Sequence, residues 1–264
     1  MGPTFPVGSR FVVADFHFLL TDWSLSVHIR ILTSCTKKKA VSCANPITAE
    51  DFERGEDHVA SRSKELADST LPAGKMYSGL QHRHLMQGVS AVRRKRASFD
   101  IDVSILSAGY GLISEVELIA PYERAFNGKP KAEIRDLADR LNIPKDSYHF
   151  LEQPADLILI LLGRKYLHAV DFDETVSFGG NTLLFCSRKA AESLPRWEKV
   201  KKVLVTQETA SRFSEGIVGL KGYLARLLLQ KVVRDPGMVE HLVDPQVDVL
   251  EVLDDQEMQV RLEL

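Results

Sequence analysis

The stretch VHIRILTSCTK, residues 27–37, passes from an apolar segment into a polar loop. Its apolar residues alternate at first and then run together, until small polar residues stop the pattern. This pattern predicts a first buried strand over residues 27–33. The strand would deliver the loop from Ser34 to Lys39 to its carboxyl end.

A second stretch has the same design. Residues 102–107 predict a short strand, and Ser107-Ala108-Gly109-Tyr110-Gly111 follows it. Gly109 and Gly111 allow backbone conformations that other residues resist. Because ligands of open α/β sheets bind at the carboxyl ends of the strands, we expect the two loops to meet at one rim and to form one site.

The remaining pattern predicts an α/β fold, with strands and helices alternating along the chain. A mostly parallel mixed sheet flanked by helices would follow from this order. We expect a single domain over residues 26–245, preceded by a poorly specified extension, residues 1–25, and followed by a tail or edge strand, residues 246–264. Further strands are predicted at residues 155–162, 182–186 and 202–206, and helices at residues 47–66, 77–97, 132–141 and 216–233.

Composition narrows the classes of partner. The formal net charge of −2 gives no global positive field, so any contact with nucleic acid must be local. Three cysteines without a CxxC pair favour reduced thiols in the cytoplasm over disulfides or structural zinc, and we expect neither metal nor cofactor. The apolar run at residues 157–163 is too short to cross a membrane. Oligomeric state stays open.

The first loop offers hydroxyls, backbone donors and three consecutive lysines, a set suited to a phosphate. It is not a Walker A loop, because the glycine spacing is missing. A solvated lysine run is the alternative interpretation. Cys35 is either a nucleophile activated by the neighbouring lysines or an incidental thiol.

Two other charged groups are candidates. The basic cluster Arg93, Arg94, Lys95 and Arg96 either contacts a DNA backbone or solubilises a helix end. Past the glycine loop, a general acid or base is available from Glu115, Glu117 and Glu123. His82 and His84, two residues apart on a helix, point to different faces and do not predict a metal pair.

Three further segments occur in a recognisable order: Tyr77-Ser78-Gly79-Leu80, Ile105-Leu106-Ser107-Ala108-Gly109-Tyr110-Gly111-Leu112-Ile113 and Ile119-Ala120-Pro121-Tyr122-Glu123. With the early Ser34-Cys35-Thr36-Lys37-Lys38-Lys39, they resemble the YaaA-type peroxide-stress proteins and their smaller relatives. The resemblance spans residues 27–126 and continues more weakly to Gly222. It implies an intracellular α/β protein, and the roles attached to the YaaA branch are DNA binding and protection of DNA during oxidative stress.

The chain departs from that family at Glu117, where the YaaA branch usually has Asp, and at Glu123, where Arg is common. The branch also carries a helix-hairpin-helix element. The segment Ile217-Val218-Gly219-Leu220-Lys221-Gly222 resembles one, with Lys221 in place of the second hairpin glycine. The strong amphipathic pattern of residues 216–233 favours a core helix there.

Two hypotheses follow. The first is a DNA-associated stress protein in which lysines of the first loop and the basic cluster contact phosphates, while the glycine loop and Tyr110 shape a pocket. The alternative is an enzyme acting on a nucleotide or modified base by glycosidic-bond or base-transfer chemistry, for which a closed pocket with a buried carboxylate would argue. Candidate ligand or phosphate contacts are Ser34, Cys35, Thr36, Lys37, Lys38, Tyr77, Gly79, Ser107, Gly109, Tyr110, Gly111, Pro121, Tyr122 and Glu123.

Overall fold

A computed structural model describes residues 26–95 and 98–254 and contains one large sheet and one small one. Each buried strand coincides with an apolar run of the sequence. The strands are β1 (Val27–Ser34), β2 (Leu71–Pro72), β3 (Phe99–Ser107), β4 (Gly111–Ser114), β5 (Leu118–Ile119), β6 (Leu157–Ile160), β7 (Asn181–Cys186) and β8 (Val200–Leu204).

The large sheet has the strand order β4-β3-β1-β6-β7-β8, and all its strands are parallel except β4. β1 lies in the middle, with Ser34 opposite Leu106 of β3 and Leu32 opposite Ile160 of β6. β4 forms a hairpin with β3, and β2 pairs with β5 in the small sheet. The predicted mostly parallel mixed sheet is therefore confirmed.

Helices occupy the connections between the strands and cover both faces of the large sheet. They are α1 (Ala49–Glu53), α2 (Glu56–Glu65), α3 (Ala73–Met76), α4 (Leu80–Arg93), α5 (Lys131–Arg140), α6 (Ile143–Glu152), α7 (Arg164–Val170), α8 (Arg188–Ser193), α9 (Gln207–Arg212), α10 (Leu220–Arg234), α11 (Met238–Val243) and α12 (Val249–Asp254). No helix in the described ranges is long and apolar enough to cross a bilayer.

Apolar side chains of the central strands divide between two cores. Ile29 and Ile31 face one core, which α4 and α10 cover, while Leu32 faces the other, which α5 to α8 cover. A parallel strand is buried on both sides, which is why β6 has no polar residue in its sequence. The two cores therefore cover both faces of the large sheet.

Several boundaries differ from the sequence prediction. The single helix predicted at residues 47–66 is two helices, because the backbone turns at Gly55 with a φ of 98°. Thr48 caps the first of them through a capping box with Asp51. Pro144 lies in the first turn of α6, where its missing N–H costs nothing.

The described part of the predicted tail is helical. α12 packs Val249 and Leu253 into the core, so residues 249–254 are not an edge strand. The extension at residues 1–25 and residues 255–264 lie outside the described residues.

Candidate functional site

The two loops singled out by the sequence lie side by side. β1 and β3 are parallel neighbours, so both chains leave the sheet at the same edge. The backbone N–H of Cys35 donates to the carbonyl of Leu106 at 2.8 Å, which extends the pairing one residue past β1. The expectation that the loops meet at one rim is confirmed.

A cleft of about 810 Å³ opens at this edge. The connection from β1 to β3 places α4 on one face of the sheet, whereas the connection from β4 to β6 places α5 and α6 on the other. The two connections therefore lie on opposite faces of the sheet. The carboxyl ends of β1 and β6, between which this change occurs, are the position where open α/β sheets bind ligands. Lining residues include Cys35, Thr36, Lys37, Lys39, Cys43, Pro121, Tyr122, Glu123, Arg124, Asn127 and Tyr166.

A network of buried hydroxyl groups lies behind the wall of the cleft and includes Tyr122, which lines it. The Tyr122 hydroxyl lies 2.8 Å from the Ser107 hydroxyl and 3.0 Å from that of Tyr77. Ser107 in turn accepts the backbone N–H groups of Gly109 and Tyr110, both at 3.1 Å. The glycine loop thus holds a serine, and the serine holds the tyrosine that faces the cleft.

The Cys35 thiol adjoins two tyrosine hydroxyls. Its sulfur lies 2.9 Å from the Tyr166 hydroxyl and also interacts with the hydroxyl of Tyr122. Burial raises the pKa of Tyr122, Tyr166 and Tyr77 well above the ordinary value for a phenol. These tyrosines keep their protons and remain hydrogen-bond donors.

Lys39 places a cation beside the thiol. Its ammonium lies 4.1 Å from the centre of the Tyr122 ring, a cation–π contact. Burial lowers the pKa of Lys39, and the nearby Cys35 and Glu123 partly oppose this shift. Because the ammonium covers one face of Tyr122, that ring is not open for stacking a base on this face.

The charge of the cleft is mostly positive. Lys37 is exposed at the mouth and has no ionic or hydrogen-bonded partner among residues 26–95 and 98–254. Arg124 is already engaged by Glu53, which also pairs with Arg140. Glu123 lines the cleft but is exposed. Lys37 and Lys39 are therefore the cations available to an anionic ligand.

The glycine loop supports the cleft from behind. Ser107 is fully buried, and the Tyr110 hydroxyl donates to the Ala120 carbonyl at 3.2 Å. Gly109 lies under the rings of Phe52 and Tyr122, and Gly111 starts β4 with a φ of 75°. Tyr110 and the glycine loop are thus not among the residues that line the cleft, but they contact Tyr122, which does line it.

Other predicted residues fix the first loop. Thr36 donates through its hydroxyl to the Lys38 carbonyl and accepts the Gly79 N–H at 3.1 Å, which ties the loop to the start of α4. Ser34 is the last residue of β1 and is buried. Pro121 lines the cleft, while the side chain of Lys38 is exposed.

The basic cluster lies at the other end of the sheet. Arg93 ends α4, and its guanidinium pairs with the buried Glu115 at 2.6 Å. Arg94 and Lys95 are exposed beside the start of β3, and Arg96 lies outside the described residues. The first hypothesis has both basic groups contact phosphates, and the parallel strands separate Arg94 and Lys95 from the lysines of the first loop.

Three acidic residues were considered as an acid or base. Glu115 is engaged by Arg93, and Glu117 is exposed beyond β4. Only Glu123 lines the cleft. A buried carboxylate between the two loops, which would have argued for an enzyme, is not found in the part of the chain described.

Metal binding receives no support within residues 26–95 and 98–254, where no group of three His, Cys, Asp or Glu side chains could hold an ion. His82 bonds the Gly74 carbonyl at 2.8 Å, and His84 faces Glu215 at 3.3 Å. The two histidines point to different surroundings. All three cysteines are free thiols, and Cys186 is buried.

The segment at residues 217–222, which resembles a helix-hairpin-helix element, lies at the same edge of the sheet. Lys221 donates to the Leu162 carbonyl past the end of β6, and Gln81 donates to that of Leu161 at 3.1 Å. α10 begins at Leu220 and buries most of its apolar residues, as the amphipathic pattern predicted. Lys221 thus caps a strand end.

Sequence reasoning missed two residues that define the cleft. Tyr166 follows the predicted strand at residues 155–162, so the rule that drew attention to the other loops would have found it. Lys39 belongs to the recognised lysine run but was not singled out, because the sequence does not show which of three consecutive lysines points inward. Structure selects it through contact with Tyr122.

These features define an open α/β protein whose cleft, at the carboxyl ends of two central strands, holds a thiol, an ammonium and tyrosine hydroxyls. No model of a known protein family matches the chain, and none of the curated proteins is a match for it.

Proposed function

We propose that the cleft binds a nucleotide or a phosphate-bearing molecule of similar size, and that the protein is an enzyme acting on it. The observation that carries this proposal is the convergence of Cys35, Lys39 and Tyr166 in one cleft at the switch point of the sheet. A nucleophile, a cation and a hydroxyl donor are the groups that group-transfer chemistry needs.

The dimensions and charge of the cleft support this class of ligand. A volume of about 810 Å³ lies in the range of small-molecule sites. Lys37 and Lys39 supply positive charge for a phosphate, and Asn127 adds an amide at the wall. The free thiols fit a reducing compartment such as the cytoplasm.

The test is a thermal-shift panel of nucleoside monophosphates, the matching nucleosides and inorganic phosphate. A ligand at a hundredfold excess over its Kd should stabilise the protein by about 2.7 kcal/mol. Replacing Lys39 by Met should weaken binding by about tenfold or more, because a charge-assisted contact is lost. Lys145→Met, an exposed lysine on α6, is the matched control. A panel without any shift, or equal losses in both variants, would refute the proposal.

A second candidate is association with DNA, which the resemblance to YaaA-type proteins implies. The observation in its favour is the pair of exposed lysines, Lys37 and Lys38, at the rim of the cleft. In this case the lysines at the rim would contact the phosphates of a DNA backbone, and the protein would act during peroxide stress.

A further inference from the structure

The hydroxyl groups near Cys35 form a chain of hydrogen bonds that begins at Ser107. Ser107 accepts two backbone N–H groups, which occupy both lone pairs of its oxygen. Its own hydrogen therefore points to the Tyr122 oxygen at 2.8 Å. The Tyr77 hydroxyl lies 3.0 Å from the same oxygen, and the Tyr122 hydroxyl also interacts with Cys35.

Tyr166 completes the surroundings of the sulfur. Its hydroxyl lies 2.9 Å from Sγ, and its ring is held edge-on against Phe126, with the centroids 5.2 Å apart. The Tyr166 hydroxyl contacts this sulfur atom at the wall of the cleft, and the Tyr122 hydroxyl and the charge of Lys39 interact with it. Chains of hydrogen bonds polarise each other, so these donors stabilise negative charge on sulfur more than isolated hydroxyls would.

The other two cysteines lack this environment. Cys186 is fully buried in the core. Cys43 lines the same cleft and is also partly exposed, but no hydroxyl bonds its sulfur within the described residues. The donors are therefore specific to Cys35, which argues against an incidental thiol.

We propose that Cys35 is the covalent nucleophile of the cleft; the identity of its substrate rests on the function proposed above. After the thiol has lost its proton to solvent, the sulfur attacks an electrophilic carbon, for a nucleotide the sugar carbon that carries the base. The sulfur–carbon bond forms as the carbon–base bond breaks, and the base leaves with the electron pair and takes a proton from the Lys39 ammonium.

The second half of the reaction restores the enzyme. Water or an acceptor molecule attacks the same carbon and gives a proton back to Lys39, and the sulfur departs with its electron pair as a thiolate. Tyr122 and Tyr166 donate hydrogen bonds to sulfur whenever it carries charge. No oxidant or reductant takes part.

Competitive alkylation with iodoacetamide tests the proposal, with the modified peptides quantified by mass spectrometry. Cys35 should react about tenfold faster than Cys43, which serves as an internal control in the same cleft. Equal rates for the two cysteines would overturn the proposal without any variant. Tyr166→Phe should slow alkylation of Cys35 about fivefold, because one hydrogen bond to sulfur is lost, and should leave Cys43 unchanged.

Tyr148→Phe is the matched control, since the Tyr148 hydroxyl donates to the Asp171 carbonyl at 2.9 Å and Tyr148 is not among the residues that line the cleft. If both tyrosine variants behave alike, the hydroxyl environment has no part in reactivity. Protection by a nucleoside monophosphate separates the two proposals. Fast alkylation that no nucleotide slows supports the nucleophile and removes the proposed ligand, whereas nucleotide binding with an unreactive Cys35 does the reverse.

Discussion

Single polar residues determine how the cleft is built. Ser107 has no exposed surface, yet three groups depend on it: the N–H groups of Gly109 and Tyr110 and the hydroxyl of Tyr122. A buried polar group is tolerated only when its hydrogen bonds are made. The serine therefore links the conformation of the glycine loop to the tyrosine beside Cys35.

Ser107→Ala should lower the free energy of unfolding by about 2–4 kcal/mol, because two buried N–H groups lose their acceptor and Tyr122 loses a donor. The measurement is chemical denaturation. Ser90→Ala is the control, since the Ser90 hydroxyl donates to the Met86 carbonyl on the exposed side of α4 and its loss should change stability by less than about 0.5 kcal/mol. Equal effects of the two substitutions would show that Ser107 has no special role.

Among the helices of the described residues, α4 and α10 form the most extensive contact. Glycines make the close approach possible. A Cβ on Gly222 would lie 1.9 Å from the Gln81 carbonyl oxygen, and one on Gly88 would lie 2.9 Å from the Arg226 Cα. The same crossing positions Gln81 and Lys221, which cover the carboxyl ends of the strand β6.

Gly222→Ala should destabilise the protein by about 2 kcal/mol or more, even though alanine is by about 1 kcal/mol the better helix former. A methyl group 1.9 Å from a backbone oxygen forces the two helices apart. Gly216→Ala is the control, because nothing lies within 4 Å of the Cβ it would add. Thermal unfolding of the two variants measures the difference. A stabilised Gly222→Ala variant would contradict the packing described.

In the whole molecule, the two groups of exposed basic residues lie far apart, and this distance decides which of them could bind DNA together with the cleft. β3 is nine residues long, which places its ends about 25 Å apart. Lys37 and Lys38 lie near its carboxyl end, while Arg94 and Lys95 lie near its amino end. A surface that binds DNA at the cleft would therefore involve one group and not the other.

If the second candidate function holds, Lys37→Ala/Lys38→Ala should weaken binding to duplex DNA and reduce the slope of log affinity against log salt by about 2, since each phosphate contact contributes about 0.9. Arg94→Ala/Lys95→Ala removes the same charge from the other end and should leave the slope unchanged. Fluorescence anisotropy across salt concentrations measures both. Equal effects would indicate nonspecific charge, and no binding at low salt would remove the DNA candidate.

Sequence patterns predicted the elements whose signal is local. The apolar run of β6 and the amphipathic pattern of α10 are both local features of the sequence. The type of each element could therefore be predicted, and the predicted ends were wrong by only a few residues. Elements whose stability comes from partners distant in the chain were missed. β4, for example, pairs with β3 through a hairpin at Gly111, and α12 is helical where a tail or strand was expected.

The sequence by itself determined the α/β class and the edge of the sheet at which the two loops meet, because strand periodicity and parallel connections require both. Only the tertiary structure decided which side chains face the cleft. In the structure Ser107 is buried, and the Tyr110 hydroxyl donates to a backbone carbonyl. Of the three lysines, Lys39 contacts the Tyr122 ring, and Tyr166 contacts Cys35. The physical reason is that side-chain direction and burial depend on neighbours more than a hundred residues away, as with Cys35 and Tyr166, whose separation is 131.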